Sequence, residues 1–123
     1  MICVDSYGWI ERITNGPKAA RYNEIIDAAA AREIVTATIV IYEVYRRVKQ
    51  AAGEETALEA VAALSETNIV AVEQTIALEA ADYSIELGLH MSDAFVYATA
   101  RHFDAELYTS DEDLRKLKHV TFI

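Results

Sequence analysis

Residues 91–111, MSDAFVYATARHFDAELYTSD, contain the pattern that decides the fold of this chain. The segment DAFVYATARHF has helical spacing and almost no polar face, so it predicts a buried helix that begins at Ser92. Residues 105–109 (AELYT) predict a β-strand, and the polar run at 110–113 (SDED) predicts the start of a short helix. A buried helix that leads directly into a strand is typical of a parallel sheet covered by helices.

The same alternation of strands and helices continues outward to both ends of the chain. Short apolar runs predict further strands at 2–4 (ICV), 33–36 (EIVT), 68–72 (NIVAV) and 120–123 (VTFI). Helical spacing predicts helices at 7–13, about 18–31, 39–52, 54–65 and 75–88, with N-caps at Thr38 and Thr75 and a glycine stop at Gly88. Strands separated by helices predict an α/β protein, a three-layer α/β/α sandwich whose parallel sheet has four or five strands. No internal repeat or linker interrupts the pattern, so we expect residues 1–123 to form a single domain.

The composition predicts a folded protein of a reducing compartment. Of the 123 residues, 53% are apolar and 25% are charged, which is a globular rather than a disordered composition. The single cysteine, Cys3, excludes an intramolecular disulfide framework and favours a cytoplasmic location. No apolar run approaches the roughly 20 residues that span a bilayer, and the N-terminal segment MICVDSYGWIERI lacks the basic leader of a signal peptide. We therefore expect no membrane partner.

The charge is acidic overall but unevenly distributed. With 20 acids against 11 lysines and arginines, the formal net charge of -9 argues against a protein that coats polyanions through a basic surface. No lysine or arginine occurs between Lys49 and Arg101, while basic residues cluster at 46–49 (RRVK) and 115–118 (RKLK). Ordinary solvated helix faces explain most of these charges. Two basic clusters on an acidic body could also steer an anionic ligand to one place.

The sequence lacks the usual catalytic signatures. Its four glycines are scattered, so it has neither a P-loop nor a dinucleotide-binding fingerprint. The three histidines and Cys3 lack the spacing of zinc ligands, and no G-x-S-x-G motif marks a nucleophilic serine. The remaining candidates for chemistry are acids in unusual positions.

Four carboxylates occupy positions that secondary-structure propensity does not explain. Asp5 closes an apolar strand, and Asp111 follows the strand AELYT. Glu43 lies one turn into an apolar helix, and Asp93 opens the most hydrophobic helix of the chain. Three of the four lie where a parallel strand gives way to a helix or where a buried helix begins, and ligands bind at that carboxyl edge of an open α/β sheet. Four acids gathered there would repel one another and raise each other's pKa unless a cation lies between them.

Each acid also has a structural explanation that the sequence leaves open, and that of Asp5 is the weakest. Asp93 and Asp111 could be first-turn acids stabilised by a helix dipole. Glu43 could form an ion pair one turn further along its helix, with Arg46 or Arg47. A divalent cation explains all four acids together, and oxygen ligands of this kind favour Mg²⁺ or Mn²⁺.

Four short segments, taken in their order and spacing, carry a resemblance to a known family. They are V-D-S at 4–6, Y-E-V at 42–44, M-S-D-A-F-V-Y-A-T-A at 91–100 and L-Y-T-S-D-E-D-L at 107–114. Over its whole length the sequence resembles the PIN-domain family of metal-dependent ribonucleases, especially the VapC-type toxins of toxin–antitoxin pairs. The resemblance implies a PIN-like parallel sheet with helices on both sides, a homodimer as in many members, and inhibition by a small antitoxin protein.

The resemblance also implies roles for individual residues. The family's acidic cluster falls on four residues, which are then the expected catalytic groups and ligands of Mg²⁺ or Mn²⁺: Asp5, Glu43, Asp93 and Asp111. Asp113 is a further candidate metal ligand, and it could instead complete a capping box with Ser110. Thr109 matches a polar residue that can orient a ligand or water. On the helix that carries Glu43, Arg46 and Arg47 could reach an RNA phosphate.

These assignments predict an endoribonuclease that uses Mg²⁺ or Mn²⁺ to hydrolyse phosphodiester bonds of single-stranded or structured RNA. The alternative is a non-catalytic PIN-like module that binds metal or dimerises without cleaving RNA. A phosphate-accepting receiver domain fits poorly, because it would need paired acids after the first strand, where Ser6 follows Asp5. Metal-dependent cleavage of single-stranded RNA separates the nuclease from the non-catalytic module.

Overall fold

Five strands and six helices alternate along the chain in the computed structural model, which describes residues 1–123. The strands are β1 (Ile2–Val4), β2 (Ile34–Ala37), β3 (Asn68–Val70), β4 (Glu106–Thr109) and β5 (Val120–Phe122). The helices are α1 (Ser6–Thr14), α2 (Ala19–Ala28), α3 (Thr38–Ala52), α4 (Glu54–Leu64), α5 (Gln74–Leu87) and α6 (Met91–His102), and a short 3-10 helix spans Ala31–Glu33. None of the helices combines the length and the apolar character that crossing a membrane requires.

The strands form one parallel sheet in the order β3-β2-β1-β4-β5. Central strand β1 pairs with β2 through Cys3 and Val35 and with β4 through Val4 and Tyr108. The chain therefore winds outward from β1 to β3 and then returns to the other side of β1 for β4 and β5. Helices cover both faces, which confirms the predicted three-layer α/β/α sandwich. Because β1 and β4 adjoin where the winding reverses, their carboxyl ends border the crevice in which such sheets bind ligands.

The core lies between the sheet and its helices. Val4 of β1 and Val35 of β2 are completely buried. Helix α6 contributes an unbroken run of buried side chains, Val96–Ala100, as its lack of a polar face predicts. The polar member of this run, Thr99, donates its hydroxyl to the Phe95 carbonyl at 2.7 Å, so its burial leaves no hydroxyl unpaired.

Helix α3 is amphipathic, and its orientation decides where Glu43 lies. Its fully buried residues recur every four positions along one face: Val40, Val44 and Val48. Tyr42 and Arg46 are exposed, while Glu43 is half-buried. The helix therefore holds the carboxylate of Glu43 at the boundary between core and solvent.

The segment that follows β4 forms successive turns, so the short helix predicted from Ser110 is wrong. The carboxylate Oδ1 of Asp111 accepts a hydrogen bond from the Asp113 backbone N–H at 2.9 Å. A side chain that binds the backbone two residues further on stabilises a turn in competition with a helix. Ser110 donates instead to the Ile123 carbonyl at 3.2 Å. The capping box considered for Ser110 and Asp113 therefore does not form.

Two predicted N-caps are also wrong. Thr38 is the first residue of α3, and Ala37 occupies the cap position without a side-chain hydrogen bond because β2 passes directly into the helix. Thr75 lies inside α5, whose cap position is Glu73. Helix α2 is shorter than predicted because residues 31–33 turn into a 3-10 helix before β2. Gly88 ends α5 with a φ of 69°, the left-handed conformation expected for a glycine stop.

Candidate active site

Strand β1 ends at Asp5, which lies at the carboxyl edge of the sheet. Asp5 is only 6% exposed, yet both of its carboxylate oxygens accept hydrogen bonds. Oδ1 accepts from the Ser6 backbone N–H at 2.7 Å, and Oδ2 accepts from the Thr109 hydroxyl at 2.8 Å. Burial raises the pKa of Asp5, and these hydrogen bonds offset part of that effect. Because Asp5 also caps α1, the start of the helix fixes the position of this carboxylate.

Thr109 connects the two strands that border the crevice. It is the last residue of β4 and is completely buried. Its hydroxyl donates to Asp5 and accepts from the Asp111 backbone N–H at 3.0 Å. The sequence predicts that Thr109 orients a ligand or water. In the structure Thr109 does not line the pocket, and its hydroxyl donates to Asp5, which is itself a candidate metal ligand.

Three carboxylates meet where α6 begins beside the loop after β4. Oxygens of Asp93, Asp111 and Asp113 lie within 4.8 Å of one another. Burial, reinforced by the charges of Asp111 and Asp5, raises the pKa of the half-buried Asp93 to about 7. Asp113 is exposed at the rim of this group. Carboxylates this close are unfavourable unless a proton or a cation relieves their repulsion.

Glu43 approaches the same region from α3. Burial raises the pKa of its carboxyl group, while hydrogen bonds from the Ser92 and Ser6 side chains lower it in part. Its Oε1 atom is buried and has no hydrogen-bond partner. An unpaired buried carboxylate oxygen is costly, and a cation in the pocket would satisfy it.

The four predicted acids line one pocket, with a volume of about 400 Å³, at the carboxyl edge of the sheet. These acids are Asp5, Glu43, Asp93 and Asp111. The other lining residues are Ser6, Tyr7, Ile10, Tyr42, Arg46 and Arg47, whereas Asp113 is not among them. The fold thus brings together carboxylates from the ends of two strands and from two helices.

Arg46 and Arg47 give this acidic pocket a positive side. Both are exposed and line the pocket, and neither forms an ion pair. The pairing with Glu43 that the sequence leaves open therefore does not form. A carboxylate cluster next to two unpaired guanidinium groups can hold a metal ion and bind a phosphate group beside it.

Ser6, Ser92 and Tyr42 are among the contributors to the site that the sequence prediction misses. Each is the chain neighbour of a predicted acid, within the segments V-D-S, M-S-D and Y-E-V. A polar or aromatic residue beside an acid is too common to mark a site. Only the structure shows that both serine side chains lie close enough to the carboxylate of Glu43, which is distant from them in sequence, to lower its pKa in part.

Comparison with known proteins identifies the family. Residues 2–120 match the family model of the PIN domain. The chain belongs to the PIN domain family. No curated protein matches it in sequence.

Solved structures similar to this PIN protein come from toxin–antitoxin systems. A toxin–antitoxin complex from Klebsiella pneumoniae is 23% identical with a TM-score of 0.80, covering 98% of this chain and 96% of that chain. VapC20 from Mycobacterium tuberculosis, a sarcin–ricin loop cleaving toxin, is 17% identical with a TM-score of 0.78 and covers 92% of each chain. DNA-bound VapBC from Salmonella typhimurium is 16% identical with a TM-score of 0.78, covering 100% of this chain and 98% of that chain. At these identities the likeness establishes a shared fold.

Proposed function

We propose that this PIN protein is a metal-dependent endoribonuclease and the toxin of a VapBC-type toxin–antitoxin pair. One observation carries the proposal: four carboxylates share a pocket in which a buried oxygen of Glu43 has no partner. Groups with perturbed pKa values that converge in a cleft are typical of functional sites. The family and the shared fold with VapC20, a sarcin–ricin loop cleaving toxin, support the choice of RNA as the substrate.

The side chains of the pocket fit Mg²⁺ or Mn²⁺. Every candidate ligand is a carboxylate, and hard oxygen donors are the ligands that these ions prefer. Asp5, Glu43 and Asp93 would hold a first ion, and Asp111 would help to hold a second, with Asp113 as a further candidate ligand. Bound ions of this kind activate water for attack and stabilise the charge that develops on the phosphoryl group.

The protein's own residues prepare the pocket for this chemistry. Thr109 and the Ser6 backbone N–H fix both oxygens of Asp5, so this carboxylate does not have to reorient when a cation binds. Arg46 and Arg47 line the pocket without partners and would donate hydrogen bonds to phosphate oxygens of the RNA. In this arrangement the acids act by binding the metal ions, and they need not transfer protons.

The partners in the proposal are a small antitoxin and a second copy of the chain. A pocket of carboxylates favours a basic inhibitor segment, and similar structures are toxins in complex with antitoxins.

Leu78 and Ile85, which are 61% and 85% exposed on α5, support an apolar contact between two copies. We further propose one domain over residues 1–123 and a cytoplasmic location. Copurification of a short partner from the native host tests the antitoxin, and sedimentation tests the homodimer.

Cleavage of single-stranded RNA with Mg²⁺ or Mn²⁺ tests the proposed reaction. We expect EDTA to abolish cleavage, and we expect Asp93→Asn and Glu43→Gln to abolish it while keeping the size of each side chain. Asp82→Asn is the matched control, because Asp82 is an exposed acid of α5 outside the pocket. Metal binding without any cleavage would instead identify the non-catalytic PIN-like module.

A further inference from the structure

A second hollow adjoins the candidate active site on the outer side of α3. It is lined by Tyr42, Tyr45, Arg46, Lys49 and Gln50 and has a volume of about 560 Å³. We name it the tyrosine hollow. Tyr42 and Arg46 also line the pocket that holds the four acids, so the two hollows adjoin across these two side chains. A chain molecule whose reacting group lies in the acidic pocket can therefore extend into the tyrosine hollow.

Two aromatic rings and two cations lie side by side on this side of α3. Positions 42, 45, 46 and 49 are spaced by three or four residues, which places their side chains next to one another on a helix. Tyr42 is 62% exposed, so its ring is available to a ligand. Bases of a single strand stack on such rings, because each unpaired base has a free aromatic face. A base pair inside a duplex offers no such face.

The positive charge of the tyrosine hollow is available to an anion. Arg46 has no acidic partner. Lys49 Nζ lies 5.3 Å from the centre of the Tyr45 ring and 3.7 Å from the carboxylate of Glu54. That ion pair is solvent-exposed and contributes little, so a phosphate can replace it. Cations beside an exposed aromatic ring match the repeating unit of a nucleic acid strand, a phosphate beside a base.

We propose that the tyrosine hollow binds a nucleotide that neighbours the scissile phosphate of a single-stranded RNA. The base stacks on Tyr42, and Arg46 and Lys49 contact the adjoining phosphate. The inference rests on the proposed ribonuclease activity for the position of the scissile bond. It adds that the substrate is unpaired at this position and that the strand crosses α3.

The Michaelis constant of a short single-stranded RNA tests the stacking. We expect Tyr42→Ala to raise KM by about five- to a hundredfold, the range that one stacked base provides. We expect the loss to fall on KM rather than on kcat, because a stacked base adds the same binding energy to the substrate and to the transition state. Tyr42→Phe keeps the aromatic face and should restore KM. Leu58→Ala, which truncates a similarly exposed side chain outside both hollows, is the control.

Two further measurements test the ligand class. The logarithm of the RNA affinity falls linearly with the logarithm of the salt concentration. Lys49→Gln should make the slope of this line less negative by about 0.7, the value for one phosphate contact with a single strand. The same RNA annealed to its complement should show no dependence on Tyr42. Equal loss of single-strand and duplex binding in Tyr42→Ala would overturn the stacking.

Binding of a fluorescently labelled strand to the Asp93→Asn variant separates failure of the hollow from failure of the nuclease. If the wild-type protein cleaves RNA and Tyr42→Ala cleaves it with the same KM, the proposed role of the tyrosine hollow is refuted and the proposed nuclease activity is supported. Absence of cleavage together with Tyr42-dependent binding refutes the nuclease and retains the hollow as a single-strand site. If the protein neither cleaves RNA nor binds the strand through Tyr42, the nuclease and the role of the tyrosine hollow are both refuted. A dimer that dissociates on Tyr42→Ala would assign this surface to a second copy and overturn the proposal.

Discussion

A carboxylate as deeply buried as that of Asp5 is costly unless it gains compensating contacts. Its hydrogen bonds from Ser6 and Thr109 compensate only in part, because burial still raises its pKa. A raised pKa in the folded state means that the ionised group favours the unfolded chain at neutral pH. In the metal-free protein Asp5 therefore lowers the free energy of unfolding, as residues kept for function often do.

We expect Asp5→Asn to abolish RNA cleavage and to raise the melting temperature in EDTA. The amide keeps the size of the side chain and an oxygen for the Ser6 N–H, and it removes the buried charge. Its NH2 group meets the Thr109 hydroxyl, which then has to accept a hydrogen bond instead of donating one. The gain is about 1.4 kcal/mol for each unit by which burial raises the pKa of the acid. Thermal unfolding at neutral pH and a cleavage assay check both effects, with Asp82→Asn as the control. A lower melting temperature would contradict a crowded acid cluster, and retained cleavage would remove Asp5 from the catalytic set.

Gly8 allows α1 to pack closely against the residues that support Asp5. A Cβ atom at this position would collide with the ring of Tyr22 and lie 2.7 Å from Val4 Cγ1, and both side chains are completely buried. We expect Gly8→Ala to lower the free energy of unfolding by about 1–3 kcal/mol through overpacking, although alanine is the better helix former. Urea unfolding measures the change. Unchanged or higher stability would show that the neighbours move aside freely.

At the scale of elements, the end of edge strand β5 is held by the start of α2. Lys18 Nζ donates to the Ile123 carbonyl oxygen at 2.8 Å and lies 5.5 Å from the ring centres of both Tyr7 and Phe122. Strand β5 has three residues and pairs only with β4, so its own ladder is short. Contacts from Lys18 therefore carry part of the attachment of β5.

We expect Lys18→Met to lower the free energy of unfolding by about 1–2 kcal/mol, since methionine retains an apolar side chain but loses the donor and the cation–π contacts. The loss should be greatest locally, so amide exchange should accelerate more in β5 than in β2. Lys116→Met is the control, because Lys116 is exposed and forms no ion pair. Equal exchange of β5 amides in both variants would contradict this attachment.

At the scale of the whole molecule, the net charge of -9 is compatible with an anionic substrate because the charges are segregated. Carboxylates converge in one pocket, while Arg46, Arg47 and Lys49 adjoin it along α3. Divalent ions in the pocket would neutralise part of the acidity where the phosphate has to bind. Elsewhere the acidic surface disfavours unspecific contact with nucleic acid.

We expect Mg²⁺ or Mn²⁺ at about 100 times its Kd to raise the free energy of unfolding by about 2.7 kcal/mol. At one fixed metal concentration the effect should be larger near pH 8 than near pH 6, because carboxylate ligands bind metal only after losing their protons. Burial and nearby acids raise the pKa of Asp93 to about 7, so at the lower pH an ion must displace a proton from it. Thermal unfolding with and without EDTA measures the effect. Asp93→Asn should reduce both the stabilisation by metal and its pH dependence, and the control Asp82→Asn should change neither. If metal stabilises Asp93→Asn as much as the wild type, the metal site is contradicted.

Much of the candidate site is predictable because its acids violate local rules that the rest of the chain follows. Asp5 at the end of an apolar strand and Asp93 at the start of an apolar helix stand out without knowledge of the fold. The role of Thr109 is harder to predict, because the sequence indicates its position at the end of a strand but not its hydrogen bond to Asp5. The tyrosine hollow escapes prediction, since Tyr42 and Tyr45 resemble the packing aromatics of any amphipathic helix.

The sequence by itself determined the alternation of strands and helices, the parallel sheet, and the placement of acids where strands end and buried helices begin. These features depend on hydrophobic periodicity, which is a local property of the chain. Only the tertiary structure decided that β4 lies beside β1, that Arg46 and Arg47 remain unpaired, and that Asp111 begins a turn rather than lying in a helix. Strand order and side-chain pairing are set by contacts between residues far apart in sequence. A pocket formed from the ends of several elements therefore exists only once the chain has folded.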